Sequence, residues 1–199
     1  SKFWRLEKTY LMFDDEYKCL SKIIFPNPNL HKLSSLKNLN MENTGVEDIS
    51  SLINCSNLEF LNISGTLIKD LSALSHLKKI ETLEANETSL ENLDSLRGCP
   101  LLEIELIDCN DLKNVMGLNE CPNLVSIDLT GSEQVSTFWD SGTLLKIKDL
   151  NLCATGLSDF SSLITNWKLL VSLQLSFTNV KDIKSLHRAI NLKGLRLDG

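Results

Sequence analysis

One stretch of the chain decides the fold: Leu58-Glu59-Phe60-Leu61-Asn62-Ile63-Ser64-Gly65-Thr66-Leu67-Ile68-Lys69-Asp70-Leu71. Its Leu-x-x-Leu-x-Leu opening recurs at intervals of 21 to 23 residues. The recurring blocks begin at Leu36, Leu58, Ile80, Leu101, Leu124, Ile147, Leu170 and Leu192. One short strand with one return segment cannot bury its own apolar side, but stacked neighbours can. Residues 30–199 are therefore predicted to form a solenoid of seven complete repeats and the opening strand of an eighth.

A small hydroxyl or thiol residue follows each strand. The seven members of this column are Thr44, Thr66, Thr88, Cys109, Ser132, Thr155 and Thr178. Backbone groups that turn off a sheet lose their strand partners and need others. We expect a buried row here, with each side chain bonded to the backbone of the neighbouring loop.

A second column consists almost entirely of Asp and Asn and directly precedes an apolar residue. Its members are Asp48, Asp70, Asn92, Asn114, Thr137, Asp159 and Asp182. These are the residue types that cap helix N-termini. Apolar residues then follow at a spacing of three, as in Ile49, Leu52 and Cys55. Short helical or 3₁₀ turns are predicted for the return arms.

The first 29 residues do not follow the repeat. Apolar residues there have the 3-4-3-4 spacing of one helix face: Phe3, Leu6, Tyr10, Phe13, Tyr17, Leu20 and Ile24. Pro26 ends the pattern. Residues 1–29 are predicted to form an amphipathic helix that caps the first repeat. A dimerisation or partner-binding helix is the alternative.

The six cysteines fall mostly in repeat columns, where small buried residues are expected. Cys99 and Cys121 lie in adjacent repeats, so a bridge between them is an open alternative. No Cys-x-x-Cys pair is present. A reduced cytoplasmic or nuclear setting is favoured over a cell-surface or secreted one. The glycosylation sequons at Asn54, Asn62 and Asn86 are interpreted as accidental.

The quoted stretch resembles leucine-rich repeat proteins of the short, 22-residue kind. It is similar to bacterial internalins and to the nuclear regulatory subunit of protein phosphatase 1. Its Ser-Gly-Thr motif also resembles the repeat proteins of trypanosomatids. The resemblance implies an α/β fold: a right-handed superhelix with a concave parallel sheet and short helical or 3₁₀ return arms. The irregular stretch 137–145, with Phe138 and Trp139, is either a bulged arm or a partner-binding protrusion.

Alternate strand residues in such a sheet point outward. This geometry places seven carboxylates on the concave face against the single cation Arg196: Glu42, Glu84, Glu103, Glu105, Asp128, Asp149 and Asp198. It also exposes Phe60 and Ile107, with Phe177 in the following turn, as anchors for a partner. The predicted partner-binding residues are Phe60, Asn62, Glu84, Glu103, Glu105, Ile107, Asp128, Asn151 and Phe177.

The formal net charge of the chain is −6: residues 1–35 carry +2 and residues 36–199 carry −8. An acidic face disfavours nucleic acid and favours a basic or mixed basic and apolar segment of another protein. No apolar run is long enough for a membrane span. Self-association is expected at the N-terminal helix or at the C-terminal edge, and the domain is expected to continue past Gly199.

Enzymatic function is not predicted, because His31, His76 and His187 are dispersed and no phosphate loop, nucleophile elbow or metal motif is present. No cofactor, catalytic residue or metal ligand is assigned. The leading function is a protein-interaction scaffold or targeting module. The alternatives are a regulatory or substrate-recognition domain of a larger ubiquitin ligase, kinase or phosphatase, and an extracellular adhesion or receptor domain.

Overall fold

A computed structural model describes residues 10–12, 34–136, 146–159 and 167–199 of the 199. These residues contain nine three-residue strands, β1 to β9: Tyr10–Met12, Asn38–Asn40, Phe60–Asn62, Thr82–Glu84, Glu103–Glu105, Ser126–Asp128, Asp149–Asn151, Ser172–Gln174 and Gly194–Arg196. The strands pair in parallel and in chain order within one sheet. Each repeat therefore contacts the repeats beside it, as a solenoid requires.

The register is the same from strand to strand. Leu61 of β3 pairs with Leu83 of β4, and Leu83 pairs with Ile104 of β5. These central residues are 0 to 1% exposed. The leucines that open each block are buried with them, from Leu36 to Leu170. One continuous apolar core runs the length of the solenoid, and the predicted repeat fold is confirmed.

The return arms contain 3₁₀ helices, as predicted. The described ones are Ser50–Asn54, Ser72–His76, Asp94–Leu96, Met116–Glu120, Trp167–Leu169 and Lys184–Arg188. None of the helices in the described ranges is long and apolar enough to cross a bilayer. The inward residues Leu74 and Leu118 are fully buried, whereas Leu186 of the last helix is half-buried.

The Asp and Asn column hydrogen-bonds to the first residue of these helices. Asp48 Oδ1 accepts a 2.7 Å hydrogen bond from the Ser50 N–H, the first residue of its helix. The same bond recurs at Asp70, Asn92, Asn114 and Asp182. The column therefore satisfies the first N–H of five helices, but the predicted N-cap position is off by one: the N-cap is the apolar residue that follows, such as Ile49, whose side chain makes no capping bond. Thr137 and the rest of 137–145 lie outside the described residues, as does the segment 160–166 after Asp159.

Most of the hydroxyl column is buried, with only Thr44 and Thr178 half-buried, but its hydrogen bonds differ from the prediction. Thr66 Oγ1 donates to the Ile63 carbonyl of its own repeat at 2.6 Å, and the other four threonines make the same bond three residues back. Bonds to the neighbouring repeat are described for Ser132, which donates to Leu106 O at 2.7 Å and accepts the Cys109 N–H at 3.1 Å, and for Cys109, whose thiol donates to Ala85 O at 3.1 Å. The turn brings the threonine's own strand-end carbonyl within reach, so the local bond forms.

A row of left-handed residues turns the chain off the sheet in every repeat. Its members are Asn43, Gly65, Glu87, Asp108, Gly131, Ala154, Phe177 and Gly199, all with φ between +53° and +110°. Each N–H from Asn43 to Phe177 donates to a carbonyl of the next repeat at 2.8 to 2.9 Å. This inter-repeat ladder continues the strand pairing beyond the three residues of each strand.

The predicted N-terminal capping helix is not confirmed. Tyr10–Met12, in the middle of the predicted helix, instead forms β1 and pairs with Asn38–Asn40 of β2. An uncovered β2 edge would leave a row of backbone groups without partners, and β1 supplies them. The other residues of 1–29 lie outside the described ranges.

Candidate functional site

The first and third residues of each strand from β2 onward lie on the face of the sheet opposite the core. We call this side of the sheet the open face. The central strand residue is turned to the core, so Glu103 and Glu105 are exposed while Ile104 between them is buried. The two-residue period of a strand produces this alternation.

Strand pairing brings three of the predicted carboxylates into one row. Glu84 of β4 pairs with Glu105 of β5, which pairs with Asp128 of β6. Neighbouring strands lie about 4.8 Å apart, so adjacent carboxylates repel one another. Glu103 and Asp149 are exposed and lie in the adjacent row, which the first residues of the strands form. Such a row attracts a cationic ligand.

Burial and charge together act on Glu84, the first member of the row. Partial burial raises the pKa of Glu84, and the neighbouring carboxylates Glu105 and Glu42 raise it further. The carboxyl group is therefore harder to ionise than an isolated glutamate. A cation placed against Glu84 would relieve this repulsion.

Asn62, one of the predicted partner-binding residues, is buried in the structure. Its side chain is 6% exposed. Nδ2 donates to Glu84 Oε2 at 2.7 Å, and Oδ1 accepts the Ser64 N–H at 2.9 Å. Asn62 therefore orders the face instead of presenting a free amide.

Asn151 makes the equivalent two contacts, but its carboxylate partner is on the preceding strand and not on the following one. Its Nδ2 donates to Asp128 Oδ2 at 2.9 Å, and its Oδ1 accepts the Cys153 N–H at 3.2 Å. In both residues Oδ1 accepts the N–H two residues later, which forms an Asx turn. Asn or Asp as the last residue of a strand is the sequence signal that predicts such a turn. Two of the carboxylates are thus held by amides of adjacent strands.

The predicted apolar anchors differ in exposure. Phe60 and Ile107 are half-buried, not exposed as predicted. Phe177 is 70% exposed and has φ +59°. A bulky side chain rarely adopts this backbone conformation, which costs roughly 1–2 kcal/mol. Phe177 is therefore a strained and exposed aromatic residue at the rim of the open face.

Cys99 and Cys121 are free thiols, so the alternative of a bridge between them is not found. The Cys99 thiol donates to the Leu74 carbonyl at 3.5 Å, and the Cys121 thiol donates to the Leu96 carbonyl at 3.2 Å. Burial raises the pKa of Cys99 to about 11 and that of Cys121 to about 12. Cys153 differs, because it is half-exposed on the open face.

Within the described ranges, no group of three or more His, Cys, Asp or Glu residues is arranged to hold a metal ion. The acidic row is spread along the sheet, one carboxylate to a strand, and does not converge on a point. Its geometry fits an elongated ligand that contacts several repeats.

Comparison with known proteins agrees with the fold. Residues 34–76 match a family model that describes two copies of leucine-rich repeats. No curated protein matches the sequence.

Among solved structures, an internalin C2 from Listeria monocytogenes is 21% identical, with a TM-score of 0.60, covering 89% of this chain and 96% of its own. An internalin, InlF, from the same species is 18% identical, with a TM-score of 0.55 over 83% of this chain. This chain spans 62% of that internalin, less than two thirds of its length.

A structure of the Drosophila Toll–Spätzle complex is also similar: 18% identity and a TM-score of 0.61, covering 85% of this chain and 24% of the other. At these identities the likeness concerns the fold. Together with the repeat match and the observed register, it shows that the chain has the fold of a leucine-rich repeat solenoid.

Proposed function

We propose that this solenoid is a protein-interaction scaffold or targeting module that binds a basic or mixed basic and apolar segment of a partner on its open face. The observation that carries the proposal is the row Glu84, Glu105 and Asp128, aligned by strand pairing and flanked by the exposed Glu103 and Asp149. Complementary charge speeds association and selects against partners of the wrong sign.

The side-chain order of the face supports a binding role. Asn62 and Asn151 hold Glu84 and Asp128 through bonds of 2.7 and 2.9 Å. Carboxylates fixed before binding lose less conformational entropy when a partner arrives. A merely solvated surface would not require this ordering.

Nucleic acid is a poor fit for the same face. Phosphate backbones are bound by Lys and Arg, and Arg196 is the cation among the first and third residues of β2–β9. We therefore propose a protein partner.

Intrinsic catalysis is not part of the proposal. Glu103 and Glu105 are the carboxylate pair nearest to an acid–base arrangement, but both are exposed. An open strand does not provide the desolvation that tunes catalytic acids. The alternative proposal is that the domain recognises substrates for, or regulates, an enzyme such as a ubiquitin ligase, kinase or phosphatase.

We place the domain in a reducing compartment, the cytoplasm or nucleus. Free buried thiols at Cys99, Cys109 and Cys121 support this location, since secreted domains commonly pair their cysteines. Asn62, the acceptor of one sequon, is buried and bonded to Glu84, which supports the view that this sequon is unused. The extracellular adhesion alternative predicts glycans on the native protein instead.

The test compares two variants with the same change in net charge. The face variant carries Glu84→Lys, Glu105→Lys and Asp128→Lys. The control carries Glu47→Lys, Glu91→Lys and Glu133→Lys, three exposed residues outside the strands. A partner is captured with the wild-type chain, identified, purified and titrated against all three proteins.

We expect the face variant to lose at least tenfold in affinity at physiological salt, and the control to lose less than threefold. Circular dichroism confirms that each variant is folded. Equal losses would show that only net charge matters, and no loss in the face variant would place the binding surface elsewhere.

A further inference from the structure

Charge and apolarity are separated across the open face of β5–β8. The carboxylates of these strands are at the first and third strand residues: Glu103, Glu105, Asp128 and Asp149. A less polar row follows just beyond the strand ends, which we call the apolar row: Ile107, Thr130, Cys153, Ala154 and Phe177. Asp108 is the carboxylate that interrupts this row.

The apolar row is accessible and shifts by one position at its end: the residue after β8 that is equivalent to Cys153 is Ser176, which is 3% exposed, and Phe177 follows it. Ile107, Cys153 and Ala154 are half-buried, and Phe177 is 70% exposed. Thr130 donates its hydroxyl to Asp128 Oδ1 at 2.6 Å, so its hydroxyl is turned to the acidic side. The inter-repeat bond from the Ala154 N–H to the Ser176 carbonyl, 2.8 Å long, keeps successive turns in contact.

We propose that the partner segment is an amphipathic α-helix, lying along the solenoid axis with its basic side over the carboxylates and its apolar side over the apolar row. This inference rests on the proposed function and adds the conformation and orientation of the ligand. Charge complementarity selects the basic side, and the exposed Phe177 provides the aromatic anchor for the apolar side.

The spacing of the repeats favours a helix over an extended peptide. Successive strands present equivalent residues about every 4.8 Å. One helical turn rises about 5.4 Å, so side chains at i, i+4 and i+7 meet successive repeats. Same-side residues of an extended chain lie about 6.6–6.8 Å apart and lose this match after one or two repeats.

Two synthetic peptides of identical composition test this proposal. Both contain seven leucines and seven lysines and carry fluorescein. In one, the leucines follow helical spacing; in the other, leucine and lysine alternate with the period of a strand. Fluorescence anisotropy against the full chain at 0.15 M salt gives both dissociation constants.

We expect the helix-spaced peptide to bind at least tenfold more tightly than the alternating one. Phe177→Ser should weaken the helix-spaced peptide at least fivefold. Leu67→Ser is the matched control, because Leu67 is 56% exposed and outside the apolar row. It should change the affinity less than twofold.

Cys153 offers a second readout that needs no substitution. The other described cysteines are buried, so iodoacetamide should react with Cys153 first among them. The bound helix-spaced peptide should slow its alkylation at least fivefold, measured by peptide mass spectrometry.

Equal affinity of the two peptides, or unprotected Cys153 in the saturated complex, would overturn the amphipathic helix. If both peptides bind equally and the face variant abolishes both, the acidic-face function survives and only this inference fails. If neither peptide binds and the natural partner ignores the face variant, the proposed function fails as well.

Discussion

The side-chain amide of Asn62 donates a 2.7 Å hydrogen bond to Oε2 of Glu84, the equivalent residue of the next repeat. This bond links β3 and β4 across the open face, in addition to their backbone pairing. It also orients a carboxylate whose pKa is raised by burial, by Glu105 and by Glu42. One contact therefore connects the stability of the solenoid with the charge of its candidate binding surface.

Glu84 should make the fold less stable as the pH rises. Its folded pKa is raised, so its favourable contribution is complete below the unfolded pKa, near 4.5, and is lost as the pH rises through the folded pKa. Glu84→Gln cannot ionise and retains an acceptor for Asn62. We expect its stability relative to wild type to be greater at pH 7 than at pH 4, measured by urea unfolding. Exposed Glu47→Gln is the control; a difference independent of pH for Glu84→Gln would contradict the account.

Thr66→Val should destabilise the fold by roughly 1–3 kcal/mol, because the Ile63 carbonyl loses its hydroxyl donor in a site that is 3% exposed. Thr82→Val, at a half-buried strand position of the open face, is the matched control and should be nearly neutral. Urea midpoints with a shared m-value measure both. Equal midpoints for the two variants would show that the hydroxyl column does not stabilise the turns.

Gly117→Ala should destabilise the fold by about 1–3 kcal/mol or more. A Cβ at Gly117 would lie 1.8 Å from the Leu93 carbonyl oxygen, so two return arms would have to separate. Gly194→Ala is the control, since its nearest neighbour would be 3.5 Å away. Thermal melts compare them, and a fully tolerated Gly117→Ala would mean that the arms are less closely packed than described.

Phe177→Asn should raise stability by roughly 1 kcal/mol, because Asn tolerates the left-handed conformation and already occupies it at Asn43. Ala154→Gly tests the same backbone strain without removing an aromatic ring. Urea unfolding measures both variants. If Phe177→Asn instead loses stability while Ala154→Gly gains it, the ring of Phe177 supports the fold and not a partner.

The sequence predicts the features that each repeat determines by itself. Leu58, Leu61 and Ile63 recur in register and are all fully buried. The Asp and Asn column bonds to the helix starts because an Asx side chain needs only an N–H two residues away. Local rules of this kind can be read directly from one repeat.

Features that depend on two repeats were not predictable. Asn62 is buried because Glu84 approaches from 22 residues away. The left-handed row contains Asn, Gly, Glu, Asp, Ala and Phe, so residue type gives little signal for it. At the N-terminus, an apolar stripe of helical spacing competes with an unpaired sheet edge, and at Tyr10–Met12 the edge prevails.

Carboxylate footprinting of the partner complex tests the central claim most directly. Exposed carboxylates are amidated with a carbodiimide and glycine ethyl ester, and mass spectrometry gives the rate at each residue with and without the purified partner. We predict at least fivefold protection at Glu103, Glu105 and Asp149, with unchanged rates at Glu47, Glu91 and Glu133. Protection of the second group, with unchanged rates on the open face, would contradict the claim that the acidic open face is the binding surface.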